Sequence, residues 1–422
     1  MPAMRFSLGR SCAAAEPRPR VVIAINSAWN ILNFRAGLVR ALLRDGWEVV
    51  VVAPPDRFAT QVEALGCRFV GLSMESWGTN PWRDGVLLRN LKQLLEHERP
   101  NALLCYTVKP NVYGSLAARG LGIPVINTIS GLGAAFTRSG WFIRSTVRMM
   151  YRAALKRSYQ VLFQNEEDHH YFISSGLAPV GSTDRVRGSG IDLSAFLPTP
   201  LPAASAARPL KFLLVARMLG NKGIREFAEA ARLARLQGSA AEFQLLGAID
   251  AANPDSIPSD EIATWQQLGT VRYLGSTDDV RPFIAQAHCV VLPSYREGVP
   301  RTLLEAASMA RATIASDVAG CRDAVDDGIT GYLVRPRDAT DLADKLLAFA
   351  QHGHSQQQQM GCSGRLKVER EFDERLVIDK YLALLEPLKP VRHRLVDTVA
   401  HAVAHVPVVL HQPAVIQAVA TK

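Results

Sequence analysis

The chain of 422 residues is long enough for two domains of about 150 residues each, and 48% of it is hydrophobic, which allows sizeable buried cores. Its net charge of +9 favours an anionic partner, such as a diphosphate, a nucleic acid or an anionic membrane surface. No apolar run approaches the roughly 20 residues of a membrane-spanning helix, and residues 1–20 lack the apolar core of a signal peptide. We therefore expect a cytoplasmic protein, either soluble or peripherally bound to a membrane.

The six cysteines are scattered along the chain, with no CxxC pair and no histidine at metal-ligand spacing. This pattern is typical of small buried hydrophobic residues in a reducing compartment. It argues against a cysteine metal site.

Short apolar segments alternate with helical patterns along the first half of the chain. Helices are predicted at Leu38–Arg44 and Leu87–His97. Buried strands that alternate with amphipathic helices indicate a parallel sheet covered on both faces. The predicted strands are Val21–Ile25, Val49–Ala53, Ala102–Cys105, Val125–Asn127 and Val161–Gln164.

The same pattern restarts after Leu197–Pro209, a segment rich in Pro, Ala and Ser that predicts a linker. A helix is predicted at Ile224–Leu236 and another at Phe372–Leu385. The fold class is therefore α/β, with two doubly wound Rossmann-like domains facing an interdomain cleft. The predicted strands here are Lys211–Ala216, Phe243–Leu246, Val271–Leu274, Cys289–Pro293 and Thr313–Ser316.

The predicted domain boundaries follow from these elements. They give a flexible N-terminal extension at 1–20, an N-terminal domain at 21–190, a linker at 191–209, a C-terminal domain at 210–371, a crossover helix at 372–388 and a tail at 389–422. For the tail, a short amphipathic helix and a disordered segment remain equally open.

A strand is predicted to end at Pro293, with a Gly/Pro turn after it and a helix that starts near Arg301. Two glutamates eight residues apart lie on this segment, Glu297 just before the turn and Glu305 in the first turns of the helix. A helix N-terminus suits a phosphate, and carboxylates accept hydrogen bonds from sugar hydroxyls. Eight helical residues span about 12 Å, similar to the reach from a sugar to a ribose across a diphosphate. Thr302 and Glu305 also have the spacing of a capping box, so this segment alone does not decide between site and structure.

Two cations, Arg217 and Lys222, lie on a glycine-bearing loop after another predicted strand. Such a loop is well placed to neutralise a diphosphate, although a solvated basic turn would have the same pattern. Because both loops fall in one α/β domain, a nucleotide-sugar site is favoured.

With these motifs the chain resembles the GT-B glycosyltransferases of family 4, which carry a glycosyl-transferase group 1 domain. The resemblance covers about residues 20–388. It rests on Arg217, Lys222-Gly223, Gly247, Leu274-Gly275, Glu297-Gly298, Glu305, Asp317–Gly320, Asp327-Gly328 with Gly331, and the linker Gly188–Asp192 with Phe196 and Pro198.

The resemblance implies a role for each donor-side residue. Glu297 would hold hydroxyls of the donor sugar and Glu305 the ribose. Arg217 and Lys222 would bind the diphosphate and stabilise it as the leaving group, so we expect Arg217, Lys222 and Glu297 to be the catalytic residues. Further donor contacts are expected from the backbone of Gly298, Val299, Pro300 and Arg301, from Gly247, and from Arg272 beside the base.

The resemblance further implies a retaining, metal-independent transferase, and the chain has no DxD at a predicted strand end. We expect no cofactor, with the nucleotide-sugar as co-substrate. A UDP-activated N-acetylhexosamine is the leading donor, with GDP-mannose and UDP-glucose open. The expected acceptor is a lipid-linked glycan or a growing surface polysaccharide. Family members commonly have Gly-x-Pro where this chain has Ala310–Ala312, and we expect that loop to support the preceding helix.

The first half of the chain has weaker signals on the loops where an acceptor would approach. These candidates are Asn33, Arg35, Lys109, Gly131 and Gly133, and a structural role is equally open for each. Gly131-x-Gly133 is not a dinucleotide fingerprint, because the following helix and acidic residue are wrong.

A basic stripe recurs every four residues beside an apolar face, at Arg144, Arg148, Arg152 and Lys156. It could dock on the inner membrane surface, or belong to an ordinary surface helix. Adjacent histidines point apart on a helix, so a surface helix explains His169-His170 better than a metal site does.

Three rival functions remain. A GT-B-fold sugar-nucleotide epimerase would use no acceptor, and a non-catalytic sugar- or lipid-binding protein would bind donor without transfer. Nucleic-acid binding is disfavoured, because the basic residues lack interleaved stacking aromatics.

Overall fold

The protein is seen in a computed structural model that describes residues 18–74, 80–131, 141–205, 207–251 and 253–390. The described residues up to Leu388 belong to one compact unit. Most of the predicted N-terminal extension and almost all of the predicted tail lie outside the described residues. Within the described residues, no helix is both long and apolar enough to cross a membrane.

The first half of the described chain forms a seven-stranded parallel sheet in the order β3-β2-β1-β4-β5-β6-β7. Its central strands are almost wholly apolar and buried, as expected for a sheet covered on both faces. The strands are β1 (Arg20–Ala24), β2 (Glu48–Ala53), β3 (Arg68–Gly71), β4 (Ala102–Tyr106), β5 (Val125–Ile129), β6 (Gln160–Phe163) and β7 (Thr183–Arg185).

Helices cover both faces of this sheet. Helix α1 begins at a Ser27 cap, and α4 begins at an Asn80 cap followed by Pro81, a favoured first helical residue. The helices are α1 (Ala28–Phe34), α2 (Ala36–Arg44), α3 (Ala59–Glu63), α4 (Pro81–Glu98), α5 (Ser115–Arg119), α6 (Trp141–Leu155) and α7 (Glu166–Ser174).

A second parallel sheet of six strands repeats the same winding, in the order β10-β9-β8-β11-β12-β13 among the described residues. In both sheets the strand order reverses at the centre, between β1 and β4 and between β8 and β11. The strands are β8 (Lys211–Val215), β9 (Glu242–Leu246), β10 (Arg272–Tyr273), β11 (Cys289–Leu292), β12 (Ala312–Ser316) and β13 (Gly331–Val334).

The helices of the second half pack on this sheet, except for the last. They are α8 (Ile224–Leu236), α9 (Ser259–Gln267), α10 (Arg281–Gln286), α11 (Arg301–Ser308), α12 (Ala319–Ala324), α13 (Ala339–Gln351), α14 (His354–Glu371) and α15 (Glu374–Leu385). The fold is α/β with two parallel, doubly wound sheets, as the sequence predicts.

The last helix, α15, returns to the first domain. It buries Val377, Tyr381 and Leu385 in the core beneath the first sheet. The Tyr381 hydroxyl lies 2.5 Å from the Thr128 hydroxyl at the end of β5. Helix α15 therefore ties the end of the C-terminal domain to the N-terminal domain.

The loop that departs from the family pattern anchors the linker. Arg311 is wholly buried, and its guanidinium donates to the Thr199 and Pro200 carbonyls of the linker. It also donates to the Met309 carbonyl at the end of α11 and to the Ile284 carbonyl in α10. Burial lowers the pKa of Arg311 to about 10. Arg311 therefore holds the linker against the end of α11, and a supporting role is what we expect for this loop.

Replacing Arg311 by Met should destabilise the protein, because several buried carbonyls would lose their donor at once. We expect a loss of about 3 kcal/mol or more in the free energy of unfolding, measured by urea denaturation. The matched control is Arg272→Met, which removes an exposed arginine with one ion pair. Equal denaturation midpoints for the two variants would contradict the anchoring role.

Candidate active site

The ligand crevice of an open α/β sheet lies where the strand order reverses, beyond the carboxyl ends of the strands. In the second sheet this point lies between β8 and β11. The loop after β8 carries Arg217 and Lys222, and the loop after β11 carries Glu297. The structure thus brings together the two motifs that the sequence indicates separately.

The two loops touch through their backbones. The amide of Tyr295 donates to the Asn221 carbonyl at 3.0 Å. Gly223 has a φ of 72°, and a Cβ there would lie 2.0 Å from the Pro293 carbonyl oxygen. Any other residue at 223 would push the loops apart. This contact fixes the lysine loop against the glutamate loop.

The two catalytic cations differ in whether the site itself pairs them with a carboxylate. Lys222 Nζ lies 2.5 Å from Glu297 Oε1, and both side chains are largely buried. Arg217 is exposed at the end of β8, and none of the hydrogen bonds or ion pairs among the described residues involves its side chain. One cation is therefore neutralised by the site's own carboxylate, whereas the other is available to a ligand.

Helix α11 begins next to this pair without a side-chain cap. Its N-cap is Pro300, which has no N–H and so supplies none of the expected amide donors. The capping box is absent, because the Thr302 hydroxyl donates to the Val215 carbonyl instead, at 3.2 Å. The first amides of the helix, from Arg301 on, therefore lack a side-chain acceptor and suit an anion.

Glu305 lies one turn into α11 and forms an ion pair with Arg301, with Oε1 to Nε at 2.9 Å. Burial raises the pKa of the Glu305 carboxyl, and the Arg301 charge partly offsets this. The Arg301 guanidinium lies 5.3 Å from the Phe34 ring and 5.9 Å from the Phe196 ring. Residues of the first domain, the linker and the helix therefore meet at this arginine.

Two donor candidates lie at opposite ends of neighbouring strands, Gly247 after the end of β9 and Arg272 at the start of β10. Gly247 follows β9, and its amide donates to the Gly275 carbonyl at 2.8 Å. The structure places Arg272 away from the predicted base contact, because its guanidinium donates to the Glu242 carboxylate at the amino-terminal end of β9. That end is opposite the ligand crevice, so we leave Arg272 out of the site.

The first domain closes over the glutamate loop. A Cβ on Gly298 would lie 2.1 Å from the Ser130 carbonyl oxygen, and one on Gly320 would lie 1.5 Å from the Gly298 carbonyl oxygen. Gly131 faces the same glycine, since a Cβ placed on Gly131 would lie 3.9 Å from the Gly298 Cα. Val299 lies beside the linker motif that starts at Gly188, since a Cβ placed on Gly188 would lie 3.0 Å from the Val299 Cβ.

The remaining acceptor-side candidates are spread around this edge of the first sheet. Asn33 lies near the end of α1, and its side-chain amide donates to the Trp29 carbonyl. Lys109 is paired with Asp84 at 2.7 Å, and Arg35 is buried against Tyr106. Gly133 lies outside the described residues.

A domain contact that the sequence analysis missed lies beside the site. Arg296, next to Glu297, pairs with the buried Asp168 of α7 at 2.5 Å. The Asn165 side chain caps α7 and donates to the Gly298 carbonyl at 3.4 Å. An acidic first turn after an Asn cap was the available signal. In the described structure His169 bonds Thr183, which suits the predicted surface helix.

The basic stripe lies on α6 and the turn after it. Arg144, Arg152 and Lys156 are exposed, whereas Arg148 is half-buried and donates to the Tyr171 hydroxyl at 3.1 Å. The neighbouring face buries Val147 in the first domain.

Two family models match the chain and together span more than half of it. Residues 33–186 match a glycosyl transferase 4-like domain, and residues 209–352 match the glycosyl transferases group 1 domain. The first match covers strands β2 to β7 of the first sheet, and the second match covers strands β8 to β13 of the second sheet, which carries the site. The chain belongs to the GT-B glycosyltransferases.

Relatives and solved structures agree with this assignment. The chain is 25% identical over 385 residues to an N,N'-diacetylbacillosaminyl-diphospho-undecaprenol alpha-1,3-N-acetylgalactosaminyltransferase of Campylobacter jejuni, covering 87% of this chain and 98% of the relative. It is 24% identical over 277 residues to a UDP-Gal:alpha-D-GlcNAc-diphosphoundecaprenol alpha-1,3-galactosyltransferase of Escherichia coli, covering 63% of this chain and 70% of the relative. Anabaena Alr3699/HepE, solved with UDP and glucose, has the same fold, with a TM-score of 0.71, 16% identity, and coverage of 87% of this chain and 99% of that one.

Replacing Gly298 by Ala should separate the domains of this glycosyltransferase at the cleft, because the new Cβ would collide with the Ser130 carbonyl. We expect a stability loss of about 1–3 kcal/mol and a larger radius of gyration in small-angle scattering. Gly120→Ala is the control, since its Cβ would meet no atom within 4 Å. An unchanged radius of gyration would show that the loop absorbs the collision locally.

Proposed function

We propose that this enzyme transfers an N-acetylhexosamine from a UDP-sugar to a lipid-linked or growing surface-polysaccharide acceptor, with retention of configuration. The observation that carries the proposal is the meeting of three features at one switch point. These are the exposed Arg217, the Lys222–Glu297 pair and the uncapped start of α11. Cations and free helix amides together suit a diphosphate.

Relatives support the finer choices of donor and acceptor. The Campylobacter relative is named as an N-acetylgalactosaminyltransferase acting on a diphospho-undecaprenol-linked sugar. The Escherichia relative is named as using UDP-Gal with a diphosphoundecaprenol-linked acceptor. Both names specify an alpha linkage, and an alpha product from an alpha-linked UDP-sugar means retention.

The reaction breaks the bond between the anomeric carbon and the donor's β-phosphate oxygen, and the electron pair leaves with the phosphate. Arg217, Lys222 and the first amides of α11 stabilise that charge. The acceptor hydroxyl forms the new bond at the same face, and its proton passes to the departing phosphate oxygen. No side-chain base is needed for this step.

The Lys222–Glu297 pair couples binding to catalysis. A diphosphate competes with Glu297 for the lysine, and the released carboxylate becomes free to accept hydrogen bonds from sugar hydroxyls. Glu305, held by Arg301, is then the acceptor for the ribose hydroxyls. The cations take the role that a metal ion plays in other transferases, so the proposal includes no metal.

Changing Lys222 to Ala should lower the turnover number by about 100-fold or more, because the leaving diphosphate loses a charged donor. The protein should still fold, with a lower melting temperature, because the change leaves the largely buried Glu297 without its ion-pair partner. The assay uses a panel of radiolabelled nucleotide-sugars with a native lipid extract.

Lys92→Ala is the matched control, an exposed lysine of α4 that pairs with Glu96. Unchanged turnover in Lys222→Ala would contradict the mechanism. Incubation with UDP-GlcNAc alone tests the epimerase, and formation of an epimer without any acceptor would replace the proposal. Tight donor binding with no transfer to any acceptor would favour the non-catalytic alternative.

A lipid-linked acceptor places the enzyme at the inner membrane surface, and α6 is the proposed docking element. Arg144 and Arg152 are exposed on it and Lys156 on the turn after it, together with Trp141 at 68% and Met149 at 67%. Exposed cations with interspersed large apolar side chains suit an anionic bilayer surface.

Removing two of these charges, in Arg144→Gln with Arg152→Gln, should weaken binding to anionic vesicles by about 2 kcal/mol, or roughly 30-fold, at low salt. Co-sedimentation measures this. The control pair is Arg232→Gln with Arg235→Gln on α8 of the second domain. No sedimentation of the unaltered protein at low salt would rule out this docking surface.

A further inference from the structure

One arginine of the first domain is buried with no partner for its charge among the described residues. Arg35 lies between α1 and α2, and only 5% of it is exposed. Its Nε is inaccessible to solvent and makes no hydrogen bond. None of the hydrogen bonds and ion pairs in the described part of the chain involves its guanidinium. Its backbone amide is paired, since it donates to the Ile31 carbonyl at 2.9 Å.

The neighbour that covers the guanidinium supplies no negative charge. The guanidinium carbon lies 4.3 Å from the centroid of the Tyr106 ring. Burial raises the pKa of the Tyr106 hydroxyl, so the phenol is neutral at physiological pH. Contact with a ring face leaves the N–H donors of a guanidinium unused, because they lie in its plane.

A second buried arginine in the same chain shows what a structural role requires. Arg311 is also buried, but its guanidinium donates to carbonyls of the linker, α10 and the end of α11. Arg35 has none of these acceptors. Buried polar groups in folded proteins are nearly always satisfied, so the missing acceptor of Arg35 is expected from a ligand.

Arg35 lies at the edge of the sheet where ligands bind. Tyr106 is the last residue of β4, which is next to β1 at the point where the strand order reverses. Phe34, the preceding residue, lies 5.3 Å from the Arg301 guanidinium in the donor wall. The segment that carries Arg35 therefore reaches the donor side of the cleft.

We propose that Arg35 binds a phosphate group of a substrate, as a partner of Arg217 and Lys222 on the opposite wall. The fork of guanidinium donors matches phosphate oxygens, and burial strengthens the contact. The inference rests on the proposed function, which supplies two diphosphates of the same chemistry. One belongs to the nucleotide-sugar donor and the other to the lipid-linked acceptor.

The first experiment measures binding without transfer, by calorimetry with UDP and with inorganic pyrophosphate. The variants are Arg35→Gln, which removes the charge, and Arg35→Lys, which keeps the charge without the fork. Arg272→Gln is the matched control. A roughly 10- to 100-fold loss of UDP affinity in Arg35→Gln, with a smaller loss in Arg35→Lys, assigns Arg35 to the donor diphosphate.

The second experiment distinguishes the acceptor as the source. If UDP affinity is unchanged, the Michaelis constant of Arg35→Gln should rise for a diphosphate-linked acceptor. It should stay unchanged for a neutral alkyl glycoside of the same sugar. That split assigns Arg35 to the acceptor diphosphate.

Two results would overturn the inference. One is unaltered UDP affinity with unaltered Michaelis constants for both acceptors. The other is a fall in melting temperature as large as that of Arg311→Met, which would show a structural role. Absence of transfer by the unaltered protein would refute the proposed function alone, because UDP and pyrophosphate binding to Arg35 would still be measurable.

Discussion

The site depends on a backbone contact at Gly298 that no side chain can enter. The Ser130 carbonyl of the first domain and the amino end of α12, through Gly320, both approach this one peptide segment. Because Glu297 precedes it and α11 begins three residues later, this contact sets where the carboxylate and the helix amides lie relative to the first domain. Ion pairs beside it, such as Arg296 with Asp168, are additions to a steric constraint. The same backbone contact thus fixes both how closely the domains approach and the shape of the donor wall.

Strand periodicity predicted the architecture, because fully buried parallel strands are continuous apolar runs that turn residues interrupt. It failed to indicate short or half-exposed edge strands, such as β3 and β7, whose composition resembles that of loops. The donor loops were predictable because each motif lies at the end of an unmistakable strand. The sequence analysis assigned Arg272 to the wrong end of its strand. It lies on the right strand, but at the start of β10 instead of beyond its end, and spacing alone does not show which end a side chain serves.

Contacts across the domains could not be predicted from the sequence, since they join residues that are far apart along it. Nothing in the local sequence indicates that Phe34 lies over Arg301, or that Asp168 is the partner of Arg296. Arg311 is the exception. Its place in a family loop that normally carries a different pattern suggested support for the helix, and the structure shows the further role of holding the linker.

Charge compensation explains why buried ionic groups are treated so differently in this molecule. Lys222 and Arg301 are each held by a glutamate of the same site, so the unliganded protein avoids unpaired buried cations there. Arg311 achieves the same end with backbone carbonyls. Arg217 stays in solvent, where an unpaired charge costs little. Of these five arginines and lysines, Arg35 is the one that is buried with no acceptor among the residues that the structure describes. An unpaired buried charge has a net cost to stability, and in our proposal for Arg35 a phosphate in the cleft offsets that cost.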